Sequence, residues 1–211
     1  MVKAMREVAV SNNGTGSSAQ SATALFLDVH LCVDRPHRYI ASLAKAGADR
    51  VIFQFEAMLG PMSRWRTHHQ RDAAVAIANA VTLAKHIRTH GMRCGISINP
   101  GTRVESLLGL LEMEHGLLFD VVDVLAVEPG FGGQSFQPSA LTKIQKLCEW
   151  RQNRQPNKPM QQLQILVDGG INGETALLVK KAGADVLVAG TFLFRHEESL
   201  EAGVQTLLQE E

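Results

Sequence analysis

Val121-Val122-Asp123-Val124-Leu125-Ala126-Val127-Glu128-Pro129-Gly130-Phe131-Gly132-Gly133-Gln134-Ser135-Phe136 is the stretch on which the reading of the fold turns. Its first six residues are a short apolar, β-branched run, the composition of a buried parallel strand. Three glycines and a proline in the residues that follow rule out the interior of a helix or strand. Beyond them, Pro138-Ser139-Ala140-Leu141 opens a segment with apolar residues at Leu141, Ile144 and Leu147, which is helical spacing. The order is therefore strand, glycine-rich loop, helix. Gly130, Gly132 and Gly133 would let backbone N–H groups approach an anion, although on pattern alone a plain turn is the commoner reading.

The same order recurs on both sides. Upstream, Leu25 to Leu31 reads as a strand, Pro36 opens a helix, and Val51 to Phe55 is a strand ending at Glu56. A loop through Trp65 and His68-His69 leads to a helix over about 73–90, closed by Gly91. Arg93 to Ile98 is a strand, Asn99-Pro100-Gly101-Thr102 a turn, and Val104 begins a helix. Downstream of the helix over about 138–152, Arg151 to Lys158 is a polar connector. Gln164 to Val167 is then a strand ending at Asp168-Gly169-Gly170. Thr175 to Ala182 is helical, Val186 to Ala189 a strand ending at Gly190-Thr191, and a last helix covers about 197–209. Lys-Ala-Gly-Ala-Asp occurs at 45–49 and again at 181–185, each time between a helix and a strand, with glycine at the helix C-cap. Strict alternation of this kind predicts an α/β protein with a parallel sheet. Six strands are countable, where a closed (β/α)8 barrel has eight. Residues 1–23 are expected to be a short helix plus a flexible polar loop, and 24–211 the barrel domain.

Bulk properties bound the function. The chain has 211 residues, 45% of them hydrophobic and 20% charged, with no apolar run long enough to span a membrane. Lys plus Arg and Asp plus Glu balance at 21 each, so no global field recruits nucleic acid or an acidic membrane. Cys32, Cys94 and Cys148 fit neither CxxC nor a paired framework, which suggests reduced thiols in a cytoplasmic protein.

In parallel α/β folds the functional groups lie at the C-terminal ends of the strands. Found there are His30, Glu56, Asn99, Glu128 with its glycine-rich loop, Asp168-Gly169-Gly170 and Gly190-Thr191. Asp168 suits a general base, a metal ligand or a helix N-cap. His30 suits either a packed core histidine or a ligand, with Asp28 on the same strand face placed to orient it. His86 and His90 have i,i+4 spacing but no third ligand nearby, and read as surface residues. Glycines closing two consecutive strands are the sharper signal, because TIM-barrel phosphate sites are built from the loops after the last two strands.

Asp28-Val29-His30-Leu31, Asn99-Pro100-Gly101-Thr102, the Val127 to Phe136 string, Val167-Asp168-Gly169-Gly170-Ile171 and Ala189-Gly190-Thr191 stand in the order seen in ribulose-phosphate 3-epimerases, which the chain resembles from about residue 25 onward. The resemblance implies a phosphate-binding (β/α)8 TIM barrel and interconversion of D-ribulose 5-phosphate and D-xylulose 5-phosphate. It implies metal-assisted proton transfer by a homo-oligomeric enzyme whose partner is a phosphorylated pentose. By similarity, Asp168 is an acid/base carboxylate and a metal ligand, and His30 a metal ligand lying against substrate. Gly130, Phe131, Gly132 and Gly133 match the mobile loop over the substrate. Gly169, Gly170, Gly190 and Thr191 match the phosphate end, with Thr191 in place of the family's usual serine.

Departures are as specific. About two N-terminal βα units of the family have no counterpart, as though the chain started in mid-domain. With them are absent a substrate-binding serine, two further metal ligands and the second acid/base carboxylate. The ligand set for a divalent Zn, Fe, Mn or Co ion is thus expected to be incomplete. Cys32 and Leu125 stand where the family has methionines, and Glu56 is the one acidic stand-in. Two alternatives follow: a catalytically impaired phosphosugar-binding or regulatory homologue, or an epimerase of another ketose phosphate.

Overall fold

Parallel strands need a crossover between them, and here each crossover is helical. The computed structural model describes residues 1–11, 25–59, 70–112, 114–153 and 163–209. The polar segment 12–24, Trp65, His68 and His69, and residues 154–158 of the polar connector lie outside that set. The elements are α1 (Val2–Ser11), β1 (Asp28–Leu31), α2 (Ile40–Lys45), β2 (Arg50–Gln54), α3 (Gln70–Thr89), β3 (Arg93–Ile98) and α4 (Glu105–Glu112). They continue with β4 (Val121–Leu125), α5 (Ser139–Asn153), β5 (Gln164–Asp168), α6 (Gly173–Ala182), β6 (Val186–Val188), α7 (Gly190–Phe194) and α8 (Leu200–Leu208). Short 3-10 turns at Pro36–Arg38, Phe55–Leu59 and Glu114–Leu118 complete the path.

All six strands pair in parallel in the order β1-β2-β3-β4-β5-β6. The sheet is curled: His30 on β1 lies 3.5 Å from Asp123 on β4, three strands away. This is part of a (β/α)8 barrel, and among the described residues β1 and β6 each pair on one side only.

Period-two alternation splits every strand between two environments. The outward parity carries Val51, Phe53, Cys94, Ile96, Ile98, Val122, Val124, Ile165 and Val167, all buried beneath the helices in the main apolar core. Inward, Ile52, Val121 and Leu166 form a small apolar cluster with Val186 against it. Gly95 belongs here, since a Cβ at that position would stand 2.4 Å from Val121. The rest of the inner face is mostly polar, with Leu125 and Val188 the apolar residues at its cavity end. Arg50 pairs with Asp28 and reaches Gln164 at 3.4 Å, so Asp28 is committed to Arg50 rather than to His30.

One junction device repeats in every second unit. Before β2, Asp49 accepts the Leu27 amide at 2.7 Å and pairs with Arg6 of α1. Before β4, Asp120 accepts the Cys94 amide at 2.8 Å and Arg88 of α3 at 2.8 Å. Before β6, Asp185 accepts the Ile165 amide at 2.7 Å and pairs with Arg151 of α5. The repeated Lys-Ala-Gly-Ala-Asp is the local form of this clasp at its first and third sites. Its glycines, Gly47 and Gly183, take φ of 87° and 107° after the helix ends. Through Arg6, which also donates to Gly47 and Leu25 carbonyls, α1 is fastened to the barrel wall.

The short helix α7 is an addition to the sequence reading, which ends the strand at Gly190-Thr191 without a helix there. No helix among the described residues is long and apolar enough to cross a membrane.

Candidate active site at the C-terminal ends of the strands

A cavity of about 910 Å³ opens at the C-terminal ends of β1, β4, β5 and β6. Around it stand His30, Gly130, Phe131, Gly132, Gly133, Asp168, Gly169, Gly170, Gly190 and Thr191, together with Cys32 and Leu125. The structure thus gathers these sequence-predicted residues at one place.

Two loops meet to shape it. A Cβ on Gly170 (φ 66°) would stand 2.4 Å from the Phe136 amide nitrogen, and one on Gly169 2.4 Å from Val127. The Asp168-Gly169-Gly170 turn therefore packs directly beneath both ends of the glycine-rich loop, which only glycine permits. Gln134 ties that loop to itself by donating to the carbonyls of Glu128 (2.7 Å) and Phe131 (2.8 Å), leaving Phe131 as a 75% exposed tip. Gly132 faces the hydroxyl of Thr191 across the cavity mouth.

Asp168 closes β5 and is not the cap of α6. Asn172 takes that role, its side chain accepting from Glu174 and Thr175 amides at 3.0 and 2.9 Å. That leaves the Asp168 carboxylate half-exposed in the cavity, with Oδ2 3.9 Å from His30 Nδ1. The other ring nitrogen of His30, Nε2, lies 3.6 Å from Cys32 Sγ. Burial alone would lower the His30 pKa; contacts with Asp168 and Cys32 and the charge of Asp123 outweigh it and raise it to about 10.

Asp123 is the residue sequence reasoning did not single out. It lies on the inner face of β4, fully buried, and accepts the Ser97 hydroxyl at 2.8 Å. Burial lifts its carboxyl to about 7 against the opposing pull of His30 and Ser97. Its Oδ1 is buried without a hydrogen-bond partner. An acidic residue at inward parity inside Val-Val-Asp-Val-Leu was the available signal, because a buried carboxylate is costly unless something answers it. His30, Asp123 and Asp168 each offer a donor atom within 4.8 Å of the others. One imidazole nitrogen and two carboxylate oxygens, with one buried oxygen unanswered, fit a divalent cation.

Glu56 is placed elsewhere. Its Oε1 accepts the Asn99 amide at 2.9 Å and the Thr102 hydroxyl, bracing the turn after β3. Lys143 of α5 braces the same turn through the carbonyls of Asn99 and Pro100, both at 2.7 Å, and burial holds its pKa down. His86 near the end of α3 and His90 just beyond it stack edge to face, with His90 bonded to the His86 carbonyl at 2.9 Å.

A family model described as the ribulose-phosphate 3 epimerase family matches residues 12–194. The ribulose-phosphate 3-epimerase of Candida glabrata is 36% identical over 169 residues, which are 80% of this chain and 55% of that protein. The cytoplasmic isoform from Oryza sativa subsp. japonica is 36% identical over 177 residues, 84% of this chain and 65% of that protein. The Bacillus subtilis enzyme is 35% identical over 188 residues, 88% of this chain and 72% of that protein. The chain thus spans less than two thirds of the first two of these relatives. Among solved structures, 3-hexulose-6-phosphate synthase from Salmonella typhimurium superposes with a TM-score of 0.54 at 16% identity, over 98% of this chain and 77% of that one, a likeness of fold. On the family match and these identities, the chain belongs to the ribulose-phosphate 3-epimerase family.

Proposed function

We propose that this chain carries the working end of an epimerase that interconverts D-ribulose 5-phosphate and D-xylulose 5-phosphate by 1,1-proton transfer. The observation that carries the reading is the meeting of His30 and Asp168 under the glycine-rich loop, in the cavity that also holds Gly190 and Thr191. Asp168 takes the proton from C3 on one face of the sugar. A half-exposed carboxylate in a cleft is accessible to substrate, and general-base work of this kind typically contributes ~10²–10⁴-fold. His30 lies against the substrate oxygens. A divalent ion, when bound by His30 and the neighbouring carboxylates, supplies positive charge to the oxygen on which charge develops. Thr191, Gly190, Gly169 and Gly170 hold the phosphate, and the loop from Gly130 to Gly133 covers the sugar and excludes water. Residues 24–211 form the barrel domain, in a cytoplasmic homo-oligomer.

A second reading is favoured by Glu56. Return of a proton to the opposite face needs a second acid, and Glu56 has one oxygen taken by Asn99 and Thr102. A protein that binds the phosphosugar without turning it over follows if no other group serves. The test is conversion of ribulose 5-phosphate by the purified chain with Zn²⁺, Mn²⁺ or Fe²⁺, beside Asp168→Asn. Metal-dependent turnover lost in the variant supports the epimerase. Bound phosphosugar without turnover supports the second reading.

A further inference from the structure

Of the three groups that meet inside the barrel, the family resemblance gives roles to His30 and Asp168 and none to Asp123. Asp123 nonetheless has the most demanding position. It is fully buried, one oxygen is oriented by Ser97, and the other has no partner. A buried carboxylate is normally paired or bound to metal. No hydrogen bond joins Asp123 to His30: the Nδ1–Oδ2 separation is 3.5 Å, and that from His30 to Asp168 is 3.9 Å. Donors around a four-coordinate ion with bonds of about 2.1 Å stand roughly 3.4 Å apart. The spacing suits an ion between the three groups better than direct contact among them.

We propose that Asp123 is the third protein ligand of a divalent transition-metal site with His30 and Asp168, and that Ser97 is the residue that positions it. The proposal rests on the metal-assisted reading of this site and deepens it. One imidazole and two carboxylates select Zn²⁺, Fe²⁺, Mn²⁺ or Co²⁺ over the all-oxygen preferences of Ca²⁺ and Mg²⁺. Three protein ligands leave coordination positions open for substrate oxygens, the arrangement of a catalytic rather than a structural site. The ligands come from β1, β4 and β5, so the ion also ties the edge strand β1 to the far side of the sheet. Binding must therefore raise the melting temperature as well as load the site.

The experiment uses the full chain, stripped with chelator and titrated with Zn²⁺ or Co²⁺. Bound metal is measured by elemental analysis and calorimetry, and melting temperature is read alongside. The wild type is expected to bind one ion per chain and melt higher when loaded. Asp123→Asn, of nearly the same shape, is expected to weaken binding by at least about tenfold, and Ser97→Ala by a smaller factor. Equal affinity in Asp123→Asn, or no binding by the wild type, overturns the proposal. Should Asp123→Asn fail to fold, a zinc-loaded crystal of the wild type decides. An anomalous peak within about 2.2 Å of an Asp123 oxygen supports the assignment, and a peak on His30 and Asp168 alone overturns it. Turnover is read separately. Asp123-dependent binding without turnover keeps the ligand assignment and fails the epimerase reading. Turnover with unchanged binding in Asp123→Asn does the reverse.

Discussion

Gly170 shows how one residue joins the glycine-rich loop to the end of β5. Its φ of 66° and the 2.4 Å that would separate an added methyl from the Phe136 backbone leave no room for a side chain. Gly170→Ala is expected to cost about 1–3 kcal/mol in urea unfolding and to displace the glycine-rich loop. The cysteines separate by environment. Cys94 is buried, and burial pushes its thiol far above the usual range, which keeps it protonated and unreactive. Cys32 is exposed beside His30. Iodoacetamide on the native protein should modify Cys32 and spare Cys94 until the chain is unfolded, as peptide mass spectrometry will show. At this scale the sequence was informative where a residue ends a strand, as Asp168 does. For a mid-strand residue such as Asp123 it offered only an acid at inward parity in an apolar run, with nothing to name its partners. Asp123 and Ser97 meet across β3 and β4, 26 residues apart, and no local pattern records that pairing. Glu56 misled for the same reason: its partners, Asn99 and Thr102, come from the next unit.

Elements are held in register by the aspartate clasps more than by surface pairs. Asp120 is buried and answers both a strand amide and Arg88, so Asp120→Ala is expected to cost roughly 2–3 kcal/mol by denaturant unfolding. Glu105 at the start of α4 is the contrasting case. The ammonium of Lys146, helped by the Glu105 backbone, holds its carboxyl at about 2, below the ordinary 4.5. A lowered carboxyl stabilises the fold above its unfolded value and loses that contribution as pH falls from 4.5 towards 2. Because the pair is exposed, the effect is small, ~0.2–1 kcal/mol at most. Glu105→Gln should lower the melting temperature by less than about 3 °C at pH 7, with the difference gone near pH 2. Strands were legible here because β-branched runs bounded by glycine leave little choice. α7 was not, because Gly190-Thr191-Phe192-Leu193-Phe194 has too few turns for a helical period to show.

For the whole molecule, strand and helix alternation carried the parallel sheet and the family resemblance its barrel curl, which the meeting of His30 and Asp123 across the sheet bears out. The clasps add a property that static packing does not express. Each one binds an odd-numbered helix, the strand after it and the entry to the next strand. Among the described residues no such side-chain clasp links β2 to β3 or β4 to β5, where Asp49 and Asp120 reach the next strand by their carbonyls alone, accepting the Arg93 and Gln164 amides at 2.8 and 2.9 Å. On top of the continuous ladder, these side chains stitch the strands in pairs, β1 with β2, β3 with β4 and β5 with β6. Amide hydrogen exchange should then release protons in three cooperative blocks rather than strand by strand, and Asp120→Ala should speed exchange in the middle block first. Opening would thus travel along the barrel in steps of two units.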